Sequence, residues 1–154
     1  MKSTWSQHII TVLIVIGIAI LLVKFTKHAP TVQPNSVIAL SSVLVADTDP
    51  LRELGLGDRD SISSDTGMFF TFDHPDIYSF WMKDMRFPID IIWLDDSFRV
   101  IHVENSVSPE SYPKIFSPTE KSSFVLEVAA GIAKKNNYTE GSTLDFLKAH
   151  VYMK

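Results

Sequence analysis

Polar and apolar positions divide the chain into a short apolar head and a long mixed remainder. Residues 9–23 carry no charge, and all but Thr11 and Gly17 are aliphatic. As a helix this run spans roughly 23 Å, short of the ~30 Å of bilayer hydrocarbon, whereas the wider window 5–25 with Lys24 snorkelling is long enough. Residues 1–28 are therefore expected to be an N-terminal membrane anchor with one transmembrane helix, or a cleaved signal segment. No small-x-small cleavage pattern is present in Lys24-Phe25-Thr26-Lys27-His28-Ala29-Pro30, which favours the anchor. Lys2 before the run and Lys24 and Lys27 after it leave the positive-inside count nearly balanced. The remainder is expected on the extracytoplasmic side, periplasmic or extracellular, because N-terminal apolar segments of this kind usually export the domain behind them. It would be secreted if the segment is cleaved.

Residues 29–36, with Pro30 and Pro34, read as an extended linker, and residues 37–154 as one domain. Its pattern is one of short strands. Residues 37–46 are rich in Val, Ile, Leu and Ser and predict a strand or a broken pair. Asp49-Pro50 resembles an N-cap followed by proline at the first helical position, predicting a short helix over 50–54 that stops at Gly55 or Gly57. Strands are expected at 67–72, 78–83, 89–94, 98–107, 123–128 and 143–151. A turn is expected at 73–76, a hairpin turn at 95–97 and a long irregular loop at 108–121. A second short helix is expected within 129–137, with Lys134 and Lys135 at its favourable C-terminal end. The 89–94 strand is apolar on both sides apart from Asp90, so both of its faces should be covered. Seven or so strands and two short helices predict a mainly β domain, a compact β-sandwich or barrel-like fold.

Composition narrows the function classes. All 18 acidic residues lie beyond residue 27, against 11 basic ones there, a formal charge of −7 that argues against nucleic acid as partner. With no cysteine, disulfides, thiolate metal sites and cysteine nucleophiles are excluded. Six glycines form neither a P-loop nor a dinucleotide fingerprint, and no Gly-x-Ser-x-Gly elbow exists. His74 with Asp73 and Asp76, and His102 with Glu104, have metal-type side chains but no known ligand spacing, so neither metal nor cofactor is expected.

Four ordered blocks then stand out: Gly67-Met68-Phe69-Phe70-Thr71-Phe72, Phe80-Trp81-Met82-Lys83-Asp84, Pro88-Ile89-Asp90-Ile91-Ile92-Trp93, and Val125-Leu126-Glu127-Val128-Ala129-Ala130-Gly131. Together with Arg52, Gly55 and Leu56 they resemble the bacterial and archaeal domain-of-unknown-function family 192, over about residues 43–147. The resemblance implies a mainly β fold, often behind an export signal or anchor, and no established activity. Two positions depart from the family pattern: Asp84 stands where Asn is usual, and Gly57 where Met is common.

Asp90 and Glu127 are carboxylates inside apolar strands, costly to bury unless paired or hydrogen-bonded. Facing one pocket, they could divide into a neutral acid and an ionised base, the arrangement of a saccharide hydrolase. The competing structural reading is an ion pair with Arg52, Arg59, Lys83 or Arg86, or hydrogen bonding to loop amides. Trp81, with Trp93, could form an aromatic platform for a sugar or a flat apolar ligand, against ordinary core packing. The reading favoured by these residues is a membrane-anchored binding or accessory module for a small molecule, glycan or envelope protein. Its expected site is Trp81, Lys83, Asp90 and Glu127, with Arg52 as counter-ion. The alternatives are a hydrolase acting through Asp90 and Glu127, and a ligand-free protein-interaction scaffold with an exposed apolar patch.

Overall fold

The computed structural model describes residues 40–152. The expected anchor over 1–28 and the linker over 29–36 lie outside the described residues. Among the described residues no helix is long and apolar enough to cross a membrane.

The domain is built on one five-stranded mixed sheet. Its strands in chain order are β1 (Ser42–Ala46), β2 (Thr66–Asp76), β4 (Ile89–Leu94), β5 (Val100–Val107) and β7 (Ser122–Ala129), in the spatial order β1-β2-β7-β4-β5. β1 runs parallel to β2 and the other neighbours are antiparallel. A parallel pair needs a crossover connection, and the segment between β1 and β2 supplies it with helix α1 (Asp49–Leu54). A separate two-stranded ribbon pairs β3 (Phe80–Trp81) with β6 (Ile115–Phe116).

Both faces of the sheet are covered, as the pattern of 89–94 predicts: all six residues of β4 are buried. Because side chains alternate along a strand, each central strand serves two cores. Phe69, Ile92, Leu94, Leu126 and Val128 join one core, closed by Ile132 and Ala133 of α2 (Ile132–Lys135) and by Leu144 and Leu147. Met68, Phe70, Ile91, Trp93 and Val125 join the other, closed by Leu56, Met82 and Phe116.

The expected mainly β character holds, whereas barrel closure is absent: β1 and β5 are the two ends of the sheet. Short helices, loops and the ribbon cover it in place of a second large sheet. Two predicted strands account for the difference. Within 78–83 only Phe80 and Trp81 pair. The segment 143–151 folds as a 3-10 turn (Asp145–Leu147) followed by helix α3 (Lys148–Tyr152), and its one ladder contact is the bridge Arg99–Thr143. Its apolar residues Leu144, Leu147 and Val151 are three and four apart, a helical spacing, and they pack into one core. The predicted turn at 73–76 is instead the end of β2, which runs on to Asp76 after a register irregularity beyond Thr71. Thr48, rather than Asp49, takes the N-cap position of helix α1, without a side-chain capping hydrogen bond, and Asp49 and Pro50 are the first helical residues.

The C-terminal segment is thus part of the core. Leu147→Ala, at a fully buried position, should cost about 2–5 kcal/mol in denaturant unfolding. A cost below about 0.5 kcal/mol would show that the segment merely rests on the surface.

Candidate functional site

Strand register separates the two candidate carboxylates. Asp90 lies opposite Val128 and Ile91 lies opposite Glu127. Asp90 therefore projects into the core of Leu126 and Val128, and Glu127 emerges from the other face of the sheet, beside Ile91. They cannot act on one substrate, so the carboxylate pair expected of a hydrolase does not form.

Asp90 is fully buried and both of its oxygens are used. Oδ1 accepts the Ser106 amide at 2.7 Å and Oδ2 the Ala133 amide at 2.8 Å. Ser106 has a φ of 52°, so one bond holds a left-handed residue of β5 and the other ties down α2. Asp90 is thus a structural clamp and leaves the expected ligand set. Trp93 leaves the proposed platform as well. Its ring is in the core, and its Nε1 donates to the Tyr78 carbonyl at 2.8 Å.

The other four expected residues meet in one pocket of about 290 Å³, lined by Arg52, Trp81, Lys83 and Glu127. Five aromatic side chains wall it. Phe70 and Phe72 come from β2, Tyr78 precedes β3, and Phe80 and Trp81 form β3. Phe72 stacks on Tyr78 with ring centroids 3.4 Å apart, and Phe70 meets Phe80 edge-on at 4.9 Å. Trp81 stands at the mouth, 46% exposed, as a binding platform requires. Among the wall residues, Phe70, Phe72 and Phe80 carry a sequence signal, since they lie inside the ordered aromatic blocks. Gly55 carries one too, as the expected stop of the short helix, whereas Tyr78 and Met85 lie outside the ordered blocks.

Glu127 forms the floor. It is only 4% exposed, and its Oε2 has no hydrogen-bond partner. Burial pushes its carboxyl up to about 8, while a hydrogen bond from the Leu56 backbone amide works against that rise. At neutral pH it is a neutral acid. The backbone above it is glycine for a reason. Gly55 ends α1 at φ 52° and ψ −132°, a region that side chains disfavour. A Cβ there would point into the floor, 3.6 Å from Glu127 Oε2 and 3.5 Å from Phe70 Cζ.

Arg52 is not the counter-ion of Glu127. Nη1 pairs with Asp49 at 2.7 Å, Nε donates to the Thr71 carbonyl at 2.9 Å and Nη2 to the Asp47 carbonyl at 2.8 Å. Its guanidinium also lies 5.2 Å from the Phe72 ring centroid. Arg52 staples α1 to β2 and so fixes one wall. Lys83 and Glu53, both exposed, complete the rim.

Asp84 and Gly57 lie just past the end of β3 and of α1, respectively. Asp84 has a φ of 58°, a conformation that Asn and Asp tolerate best, and its carbonyl accepts the Asp58 amide at 3.0 Å. At Gly57 a Cβ would come within 2.8 Å of the Leu54 carbonyl, so a larger residue requires the end of α1 to shift.

Among the described residues no group of three or more His, Cys, Asp or Glu side chains is arranged to hold a metal ion. His102 places Nδ1 3.4 Å from Glu140 and Nε2 3.4 Å from Glu104, so the two carboxylates lie on opposite edges of its ring.

Two outcomes separate the carboxylates experimentally. Asp90→Ala strips two amides of their acceptor and should destabilise by about 3–5 kcal/mol in urea unfolding. A loss under about 1 kcal/mol would contradict the clamp. For Glu127 the folded value lies above the ordinary 4.5, so the folded chain holds a proton that the unfolded chain has released. Its contribution is fully present below about pH 4.5, declines as the pH rises and is lost by about pH 8. Glu127→Gln should abolish that decline. Identical pH–stability curves for the two proteins would refute a neutral Glu127.

The chain is similar to two crystallised proteins. One, from Sinorhizobium meliloti, is described as a candidate transcription regulator; it is 28% identical, with a TM-score of 0.61 over 64% of this chain and 76% of that one. The other, from Novosphingobium aromaticivorans, is a protein of unknown function, 26% identical, with a TM-score of 0.61 over 64% of this chain and 70% of that one. No curated protein matches. Residues 31–146 match the model of the family DUF192, described as an uncharacterized ACR. The match spans the sheet, the pocket and all four sequence blocks, and the chain therefore belongs to the DUF192 family.

Proposed function

We propose that the domain is a small-molecule binding module whose site is the pocket floored by Glu127 and lipped by Trp81. One observation carries this reading: a buried carboxyl oxygen without a partner lies beneath an aromatic-walled pocket. An unsatisfied buried polar atom costs about 1–3 kcal/mol, a cost that a ligand donating to it would offset. The mixture of apolar walls and a few convergent polar groups is that of ligand pockets in general, and about 290 Å³ suits a molecule the size of one sugar or one aromatic ring with a short chain.

In this proposal the apolar segment 5–25 tethers the module to a membrane, with the domain on the extracytoplasmic side, and the ligand is a small molecule or a glycan. A second reading, in which an envelope protein covers the pocket mouth, has one observation in its favour. Leu54, Trp81 and Ile115 are exposed, and Trp81 and Ile115 pair across the ribbon.

The test is the melting temperature of the protein against a panel of sugars, nucleotides, lipids and aromatic amines. A ligand bound only by the folded state adds about 2.7 kcal/mol of stability at a hundredfold over its Kd. The proposal expects a concentration-dependent rise in Tm that Trp81→Ala removes while the variant stays folded. A rise that Trp81→Ala leaves intact would place the ligand elsewhere. No rise across the panel would transfer the mouth to a protein partner.

A further inference from the structure

The charges around the pocket restrict what it can hold. Arg52 is balanced by Asp49 at 2.7 Å, and it spends two further donors on the carbonyls of Thr71 and Asp47. At the rim, Lys83 and Glu53 line the same pocket with opposite charges. When Glu127 ionises, the lining holds two cations, Arg52 and Lys83, and two carboxylates, Glu53 and Glu127, and the Glu127 carboxylate at the floor has no ion pair with either cation. The rest of the domain adds to it, since residues beyond 27 have 18 acidic against 11 basic side chains. Long-range attraction thus favours a cation at the mouth.

The walls favour a cation of a certain kind. Phe70, Phe80 and Trp81 line the pocket, and the negative faces of aromatic rings attract ammonium groups. The Phe72 face is already occupied by Arg52, at 5.2 Å from the ring centroid. A hydrated metal ion gains little here: Glu127 is the one carboxylate at the floor, and no cluster of further ligands joins it among the described residues. An organic ammonium keeps an apolar body for the rings and an N–H for the oxygen.

We propose that the pocket takes a small organic cation, a primary or secondary ammonium whose N–H donates to Glu127 Oε2 while its apolar body lies against Trp81. The proposal rests on the small-molecule reading above and names the ligand class for that same site. Protons balance in the binding step. Free Glu127 holds its proton at neutral pH; the ligand arrives already protonated; Glu127 then releases its proton to solvent and the ammonium takes its place as the positive partner. Binding should thus release close to one proton per ligand at pH 7.

The test is titration calorimetry of the full-length protein with three matched probes: benzylamine, benzyl alcohol and benzoate. The proposal expects benzylamine to bind more tightly than the other two, with an enthalpy that differs between phosphate and Tris as the release of a proton requires. Glu127→Gln discriminates sharply. Its amide still donates to a neutral acceptor, as the protonated acid does, but offers no charge to a cation. Benzylamine affinity should fall at least thirtyfold or so in Glu127→Gln, and also fall in Trp81→Ala. Benzyl alcohol or benzoate binding as well as the amine, with sensitivity to Trp81→Ala but not to Glu127→Gln, would overturn the cation and leave the small-molecule site standing. Failure of all three probes to bind would overturn both.

Discussion

Everything in this domain is constrained by the central strand β7, which is paired on both edges and packed on both faces. β2 and β4 are its neighbours, and its alternate side chains enter two separate cores. A strand in that position has no face left for water, so every polar side chain on it or beside it needs an internal solution. Asp90 and Glu127 meet that demand in opposite ways. Asp90 accepts two backbone amides, at 2.7 and 2.8 Å, and thereby ties β5 and α2 to β4. Glu127 leaves one oxygen without a partner and takes up a proton instead. The first solution stabilises the fold, and the second leaves an unmet hydrogen bond at a buried oxygen beneath the pocket.

The pocket is rigid at the points that matter, because the same core holds its walls. Arg52 ties α1 to the Thr71 carbonyl, so the end of α1 at Gly55 and Leu56 is held above Glu127. Trp93, buried under the site, grips the Tyr78 carbonyl from below and fixes the approach to β3. The ribbon of β3 and β6 then presents Trp81 to the outside while Phe80 packs inward on Phe70 and Trp93. Such support is what a binding site needs, since a pocket whose walls must first be ordered loses affinity to that cost.

Part of this was legible in the chain. The apolar run 89–94 announced a strand covered on both sides; the ordered blocks contain Trp81, Lys83 and Glu127, and these share one pocket with Arg52, the expected counter-ion. The error over Asp90 has a clear physical source. Whether two carboxylates on different strands share a face depends on register, and one residue of slip reverses the answer. Neither strand's own pattern contains that information. The C-terminal segment misled for another reason: Leu144, Leu147 and Val151 fit a helical period, but the β-branched and aromatic residues around them suggest a strand. The role of Arg52 was legible as a cation near the site, but its partners lie in loops and carbonyls that no spacing rule reveals.

The most direct measurement is the carboxyl carbon resonance of Glu127, observed by NMR across a pH titration in protein labelled with carbon-13 at the glutamate side chains and assigned by its loss in Glu127→Gln. A neutral acid at the floor of the pocket predicts a protonated carboxyl shift at pH 6.5 and a titration centred near 8. A resonance already ionised at pH 6.5 would contradict a neutral Glu127 and, with it, the link between burial and protonation at the floor of the pocket.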